Sequence, residues 1–454
     1  MTKNRKAKSI ARTRAGKTGE KYTAAHAATS IGFADDPEAT NAQHLVTLVR
    51  QGAERRYGTD LPATVRTRLN DELAYIRTVG FVDHYLTMHA IVEAAEREDV
   101  VVGPGRGTAA GSIILYVLGV TAVDPIATNL LFDLFISQGR NNFPEVGLPV
   151  GRGGDKLHGF ISSTWRSESP RWFEEVVDLG AEPLTVQILR LAHIDIVTDT
   201  VQLIEQRTGT RIDASALLAH TNMDDSRVRK TWDAIANGDT NECFCLDSAG
   251  VQGFAARVKP GSLHDLAATI ALFRPAPLEA GLTDLFAGRA SGDLLDYSEY
   301  TTDPAERAVI ASILDDTRGV WTYLEQLMRL GTAVAGLDIR GRGILRRAVA
   351  KKDGDLWTRT MEDFRSGALR DTAADGSPKL AFSEETTAKI VDSINRDAPS
   401  LFTAAHAYPF AQVAFATAYL KTNWPAEFAE ASTPPKRFSN TKQSSNVRKR
   451  ALSA

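Results

Sequence analysis

The sequence has little of what would staple a chain together or embed it in a membrane. Two cysteines, Cys243 and Cys245, are all that 454 residues contain. That count excludes a disulfide scaffold and suits a reducing, cytoplasmic setting. No run of 18 or more apolar residues occurs, so no bilayer-spanning segment and no membrane partner are expected. The N-terminal stretch MTKNRKAKSIARTRAGKTGEKY has no apolar centre of the kind a secretory leader needs. Charged residues make up 24% and hydrophobic ones 43%, which excludes wholesale disorder and a collagen-like chain. The length exceeds one compact core and points to two or three domains.

What is present is unevenly charged. Residues 1–22 carry eight Lys or Arg against Glu20 alone, and residues 435–454 carry six basic residues and no acid. The chain total is −3, so the body between these ends, 23–434, is left at −16. Such ends either attach loosely to a polyanion by releasing its counterions or stand as solvated tails.

Apolar spacing then marks out elements. Leu69, Leu73, Ile76 and Val79 recur at helical intervals and stop at Gly80. Tyr85, Met88 and Val92 share one face of a second helix. Val100–Val102 reads as a short strand entering a glycine-rich turn, and Ser112–Val120 as a buried helix. Residues 137–180 are rich in Gly, Pro and Asn without a period and read as a long loop or a damaged element. From about 183 the pattern predicts a strand leading into a helix. Residues 216–434 read as mostly helical, with breaks at 259–261 and 274–281.

The turn GPGRGTAAGS, residues 103–112, is the first candidate for chemistry. Glycines let amides point inward, a helix start adds positive potential, and Arg106, Thr108 and Ser112 can donate to oxygens. It is neither a GKS/T-type P-loop nor GxGxxG. On spacing alone it is either a phosphate cradle or a tight structural turn.

VVGPGRGTAAGSIILYVLGVTAVDPIATNLLFDLFIS resembles the central segment of the bacterial DNA polymerase III alpha subunit family, the C-family replicative polymerases. There a GPGRGSGAGS loop grips the incoming triphosphate and an LDPLxxxLLFERF element follows. Further resemblances run in the family's order: LVRQGAERRYG at 48–58, CFCLDSAGVQGF at 243–254 and IALFRPAPLEAGLTDLFAGRA at 270–290. DDTRGVWTYLEQLMRL at 315–330, LRRAVAKK at 345–352 and AYLKTNWPAEFAEA complete the series.

The resemblance implies an α+β fold, with a reduced nucleotidyltransferase-type palm followed by mostly helical fingers. The expected boundaries are a basic tail at 1–35, palm at 36–205, fingers at 206–434 and a second basic tail at 435–454. It implies template-directed DNA synthesis in replication or repair, with DNA and deoxynucleoside triphosphates as partners. Phosphate would be held by Gly103, Gly105, Arg106, Gly107, Thr108, Gly111 and Ser112, and by Arg346, Arg347, Lys351 and Lys352 in the fingers. Arg347 and Lys351 share a helix face, and this cluster also reads as a solvated basic surface.

The departures fall where the metal chemistry belongs. The family's PDFDVDF strand places two aspartates on one face to hold Mg²⁺. Here the segment is Pro144–Val150, and Gly147 and Pro149 stand where those aspartates would be. Asp195 matches the family's third, catalytic and metal-binding aspartate. It also reads as an ordinary strand-end acid, while Glu145 and Asp155 are the acids nearest the lost pair. Mg²⁺ is therefore expected only if activity survives. The alternative is a non-catalytic descendant that binds DNA, nucleotide or a replication protein.

Only 150–194 separate the first pair from the third acid, too little for a thumb, and no sliding-clamp motif is seen. Arg274 is a further phosphate candidate, and His406 reads as structural. Cys243 and Cys245 would share a strand face as buried thiols. Trp321, Tyr323, Trp424 and Phe428 read as core.

Overall fold

The computed structural model describes residues 40–136, 143–171, 173–180, 182–221, 223–289, 295–351 and 354–433. Both basic tails and Lys352 lie outside the described residues. Helix α1 (Asn41–Tyr57) starts on a capping box made by Thr40 and Gln43. In α2 (Ala63–Val79), Leu69 and Ile76 are buried as their spacing predicts, and Gly80 ends the helix in the left-handed conformation. Helix α3 (Val82–Arg97) buries Tyr85 and Met88. Each such side chain contributes roughly 1.5–3 kcal/mol over leaving it in water. Val102 makes only an isolated bridge, to Val150, so Val100–Val102 is not the expected strand. A 3₁₀ turn (Gly107–Gly111) leads into the short buried α4 (Ile113–Val117), and α5 is Phe132–Phe135.

Most of the sheet comes from the stretch expected to be loop or damaged. β1 (Val146–Val150), β2 (Ser167–Arg171), β3 (Glu174–Val177) and β4 (Leu184–Arg190) form one sheet in the order β1-β4-β3-β2. β1 runs parallel to β4, with Gly147 opposite Gln187 and Pro149 opposite Leu189, and the other pairs are antiparallel. Pro149 is tolerated because β1 is the edge of this sheet. Its carbonyl accepts from Gly103 N at 2.7 Å on the free side. Helix α6 (Gly154–Thr164) packs on the sheet through Leu157 and Ile161.

β4 leads into α7 (Ala192–Thr208), the strand-to-helix step that the sequence predicts. The remainder is helical. Its landmarks are α8 (Leu263–Leu272), α9 (Leu324–Ala333), α10 (Ile339–Lys351) and the buried α11 (Ala404–Asn423). The architecture is thus α+β.

Three apolar cores hold it. One joins α1–α4 to the sheet. A second is centred on α7, α8 and α11, and a third gathers residues between Tyr297 and Ala398. Phe428, Trp321 and Tyr323 are buried in these cores as expected, and Trp424 packs at the margin of the second. The cysteines lie in turns rather than on a strand, with Cys245 at φ 58. Among the described residues no helix is long and apolar enough to cross a membrane.

Candidate functional site

Positions 147, 149 and 151 share one face of the extended chain through β1. Across that face lie the 103–107 turn and the start of α7. A Cβ built on Gly147 would meet Arg106 Cβ at 3.4 Å and Arg106 Cδ at 3.7 Å. A Cβ on Gly103 would stand 3.2 Å from Pro149 Cβ and 2.8 Å from Ile194 Cδ1. One on Gly151 would stand 3.0 Å from Asp195 Oδ1. Going along the strand, the face therefore meets an arginine, a proline packed on glycine, and one aspartate.

Asp195 lies in the first turn of α7, not at a strand end. Its Oδ1 accepts from the amide of Arg152 at 2.5 Å, and Oδ2 accepts from Arg190 Nη2 at 3.1 Å. Arg152 Nε stands 3.8 Å from the same Oδ2, and Arg152 also pairs with Asp199. Asp195 is thus already answered by arginines.

Glu145 is exposed and accepts from Gln187 Nε2 at 2.8 Å. Glu145 is six residue steps from Gly151, ~20 Å of extended chain, whereas a metal pair spans only about 4 Å. Asp155 sits exposed in the first turn of α6. Among the described residues no group of three or more His, Cys, Asp or Glu could hold a metal. The donor set does not fit a magnesium pair.

The glycine-rich turn divides in two. At its start Gly103 and Gly105 are buried, and the Gly103 amide, expected to face phosphate, donates instead to the Pro149 carbonyl, so the accessible part is 106–108. Gly105 and Gly107 have φ of +96° and +67°, Arg106 is exposed and Thr108 is half-buried. Gly105 needs its missing side chain, because a Cβ there would come within 2.9 Å of Thr121. Its second half is closed. A Cβ on Gly111 would meet the Leu131 carbonyl oxygen at 2.6 Å.

Ser112, expected to donate to phosphate, is fully buried and donates to Glu72 Oε2 at 2.8 Å. The amides of Ile113 and Ile114 point at the same carboxylate, at 3.2 and 3.4 Å, and Arg68 Nε pairs with it at 2.6 Å. An internal anion therefore occupies the helix start that the sequence reading offered to phosphate. Burial pushes the Glu72 carboxyl up, with Arg68 pulling the other way. Glu72 was missed, although it lies on the apolar stripe of α2 between Leu69 and Ile76 with Arg68 at i−4. That placement was its only signal.

The same device recurs in the helical half. Glu325 accepts from the amides of Ala404 and Ala405 at 2.8 and 3.0 Å, at the start of α11. On α11, His406 packs between Phe402 and Phe410. Burial, assisted by the charge of Arg106, lowers its pKa to about 4.

Of the basic cluster, Arg347 and Lys351 are exposed on α10. Arg346 instead donates to the Leu134 carbonyl at 2.7 Å, tying α10 to α5. Arg342 pairs with Asp133 at 2.8 Å, and Arg329 donates to the Asn129 carbonyl. Arg274, the further phosphate candidate, donates to the carbonyls of Ala271 and Ser400 at 2.6 and 2.7 Å. Its guanidinium lies 4.4 Å over the Phe402 ring, a structural placement.

Comparison with known proteins bears on this arrangement. Residues 43–152 match the family model described as the bacterial DNA polymerase III alpha NTPase domain, and residues 193–372 match that of the alpha subunit finger domain. The DNA polymerase III subunit alpha of Halalkalibacterium halodurans is 25% identical over 87% of this chain and 43% of its own length. That of Bacillus subtilis is 26% identical over 86% of this chain and 43% of its own. That of Campylobacter jejuni is 25% identical over 81% and 38%. The chain thus spans well under half the length of these relatives.

Proposed function

Because the chain belongs to the bacterial DNA polymerase III alpha family as a partial relative, we propose that it binds DNA and nucleotide phosphates in replication or repair, and extends primers weakly or not at all. One observation carries this reading. The β1 face that would have to present two acids presents Gly147 and Pro149, and Arg106 lies across the first of them. A cation at that place attracts phosphate oxygens directly and repels a metal ion. Arg106, the Gly107 amide and Thr108 would bind phosphate. Arg347 and Lys351 offer further charge from the fingers, and Lys352 and the two basic ends could add to it.

Family membership supports the other reading, template-directed polymerisation with Asp195 as a metal ligand. That reading requires Mg²⁺ and a source of acids beyond the described set. Primer extension with Mg²⁺ or Mn²⁺, run beside Asp195→Ala, separates the two. Incorporation that disappears in Asp195→Ala overturns the proposal. Salt-sensitive binding of primed DNA without extension supports it. If that binding is lost when residues 1–22 and 435–454 are removed, recognition belongs to the ends and not to the cleft.

A further inference from the structure

The face of the sheet opposite Gly147 and Pro149 carries a polar group in an otherwise apolar layer. Glu175 stands opposite Val186 on β4, on the side covered by α6, and is 1% exposed. His158 of α6 makes a 2.7 Å hydrogen bond through Nδ1 to Glu175 Oε1, and Ser169 Oγ donates to that same oxygen at 2.5 Å. Glu175 Oε2 is buried with no hydrogen-bond partner among the described residues. A buried carboxylate is costly unless paired, and an apolar residue would serve a purely structural role at least as well.

The histidine of this pair borders a cavity. His158 lines a space of about 430 Å³ together with Arg152, Gly153, Gly154, Asp155 and Arg190. Engagement of Nδ1 by Glu175 leaves Nε2 as the ring nitrogen available to that space. Gly153, at φ +93°, starts α6 without a side-chain cap, and the Lys156 amide turns back to the Gly153 carbonyl at 2.8 Å. Two guanidiniums stand at the rim. The opposing charges are Asp155 on the same turn, and Asp195 and Asp199 on α7, which hold the arginines from their other side.

We propose that this cavity binds a compact phosphate group, with Arg152 and Arg190 supplying charge and His158 donating from Nε2. Glu175 is a positioning residue: its Oε1 holds the imidazole through Nδ1 and so fixes the orientation of the ring. The phosphate is either free, as inorganic phosphate or pyrophosphate, or the terminal phosphate of a DNA strand. The site lies across the sheet from Arg106 and stands whether or not the proposed function does.

The test uses the full chain, titrated calorimetrically with inorganic phosphate, with pyrophosphate, and with one oligonucleotide carrying or lacking a 5′-phosphate. Two-bond proton–nitrogen spectra follow His158. Saturable binding is expected for at least one phosphate, with a shift at His158 Nε2 and about tenfold weakening in His158→Ala and Arg152→Ala. Glu175→Gln is expected to change the His158 tautomer signals as well as weaken binding. His158→Gln, which keeps the size of the side chain, carries the same test if His158→Ala does not fold. The titrations and the His158 spectra are run in the Arg106→Ala background, so that phosphate held in the cleft on the other face does not count as binding here. Preference for the 5′-phosphorylated strand assigns a DNA end, and preference for pyrophosphate assigns the free ion. No saturation at about 10 mM of any of them, or binding unchanged in both variants, overturns the proposal.

Discussion

Ser112 Oγ donates to Glu72 Oε2 at 2.8 Å, so the residue that ends the glycine-rich turn faces inward to a carboxylate. Their pairing makes the turn a structural joint at its far end and a candidate anion site only at its near end. Glu72→Ala leaves the α4 amides and Arg68 Nε without their acceptor, while Arg68 Nη2 keeps the Gly111 and Leu130 carbonyls, and is expected to cost about 3 kcal/mol. Ser112→Ala is expected to cost about 1 kcal/mol. Urea denaturation measures both. Neither change should move DNA affinity by more than about twofold, whereas loss of affinity in stable Ser112→Ala would return that hydroxyl to the ligand.

Arg106 supplies the charge at the near end. Arg106→Ala is expected to weaken triphosphate or primed-DNA binding about five- to tenfold without magnesium, at unchanged melting temperature. Gly147→Asp should fold, because the new Cβ would sit at ordinary contact distance, 3.4 Å from Arg106 Cβ. Its carboxylate would neutralise Arg106 and weaken anion binding to a similar degree. Fluorescence anisotropy reads both variants, and tighter binding in Gly147→Asp would contradict the assignment.

The two thiols should be inert in the native chain. Burial pushes Cys243 up to about 12, and burial with the nearby charge of Asp247 does the same for Cys245. At pH 8 only about one thiol in ten thousand is ionised at that pKa, so a disulfide reagent should react slowly. Release of both in denaturant, against rapid modification of the native chain, is the comparison to make.

Acid should loosen the fold through its histidines. Desolvation lowers His84 to about 3, and His220 and His406 to about 4, against ~6.5 in the unfolded chain. Below ~6.5 the unfolded chain gains protons that the folded one refuses. The stabilisation is therefore complete above that pH and is lost as pH falls toward 4. Each histidine can remove on the order of 1–2 kcal/mol by pH 5. Glu72 and Glu325, raised by burial, act with the opposite sign and soften the slope. Denaturation at pH 7 and pH 5 should show the loss, and His406→Phe should flatten it by about one proton. A slope unchanged in His406→Phe would show that this ring titrates normally.

How much of this was legible depended on whether a pattern had room to repeat. The α2 stripe and the β4-to-α7 step carry several turns or alternations, and the sequence displays them. β1 is five residues with a glycine and a proline, and β2 is Ser-Glu-Ser-Pro-Arg. No local preference marks either as a strand, because each exists by pairing with β4 or β3. The site was half legible. Glycine and proline at 147 and 149 can be read directly, as can the turn at 103–112. That Glu72 answers Ser112, and that Arg346 serves α5, depend on contacts 40 and 212 residues apart.

Those long contacts bear on motion. Arg329, Arg342 and Arg346 reach from α9 and α10 to Asn129 just before α5 and to Asp133 and Leu134 within it. Any hinge between the sheet-bearing half and the helical half would have to break these three guanidinium ties together. Under the proposed function, nucleic acid therefore meets a latched frame and not a closing hand.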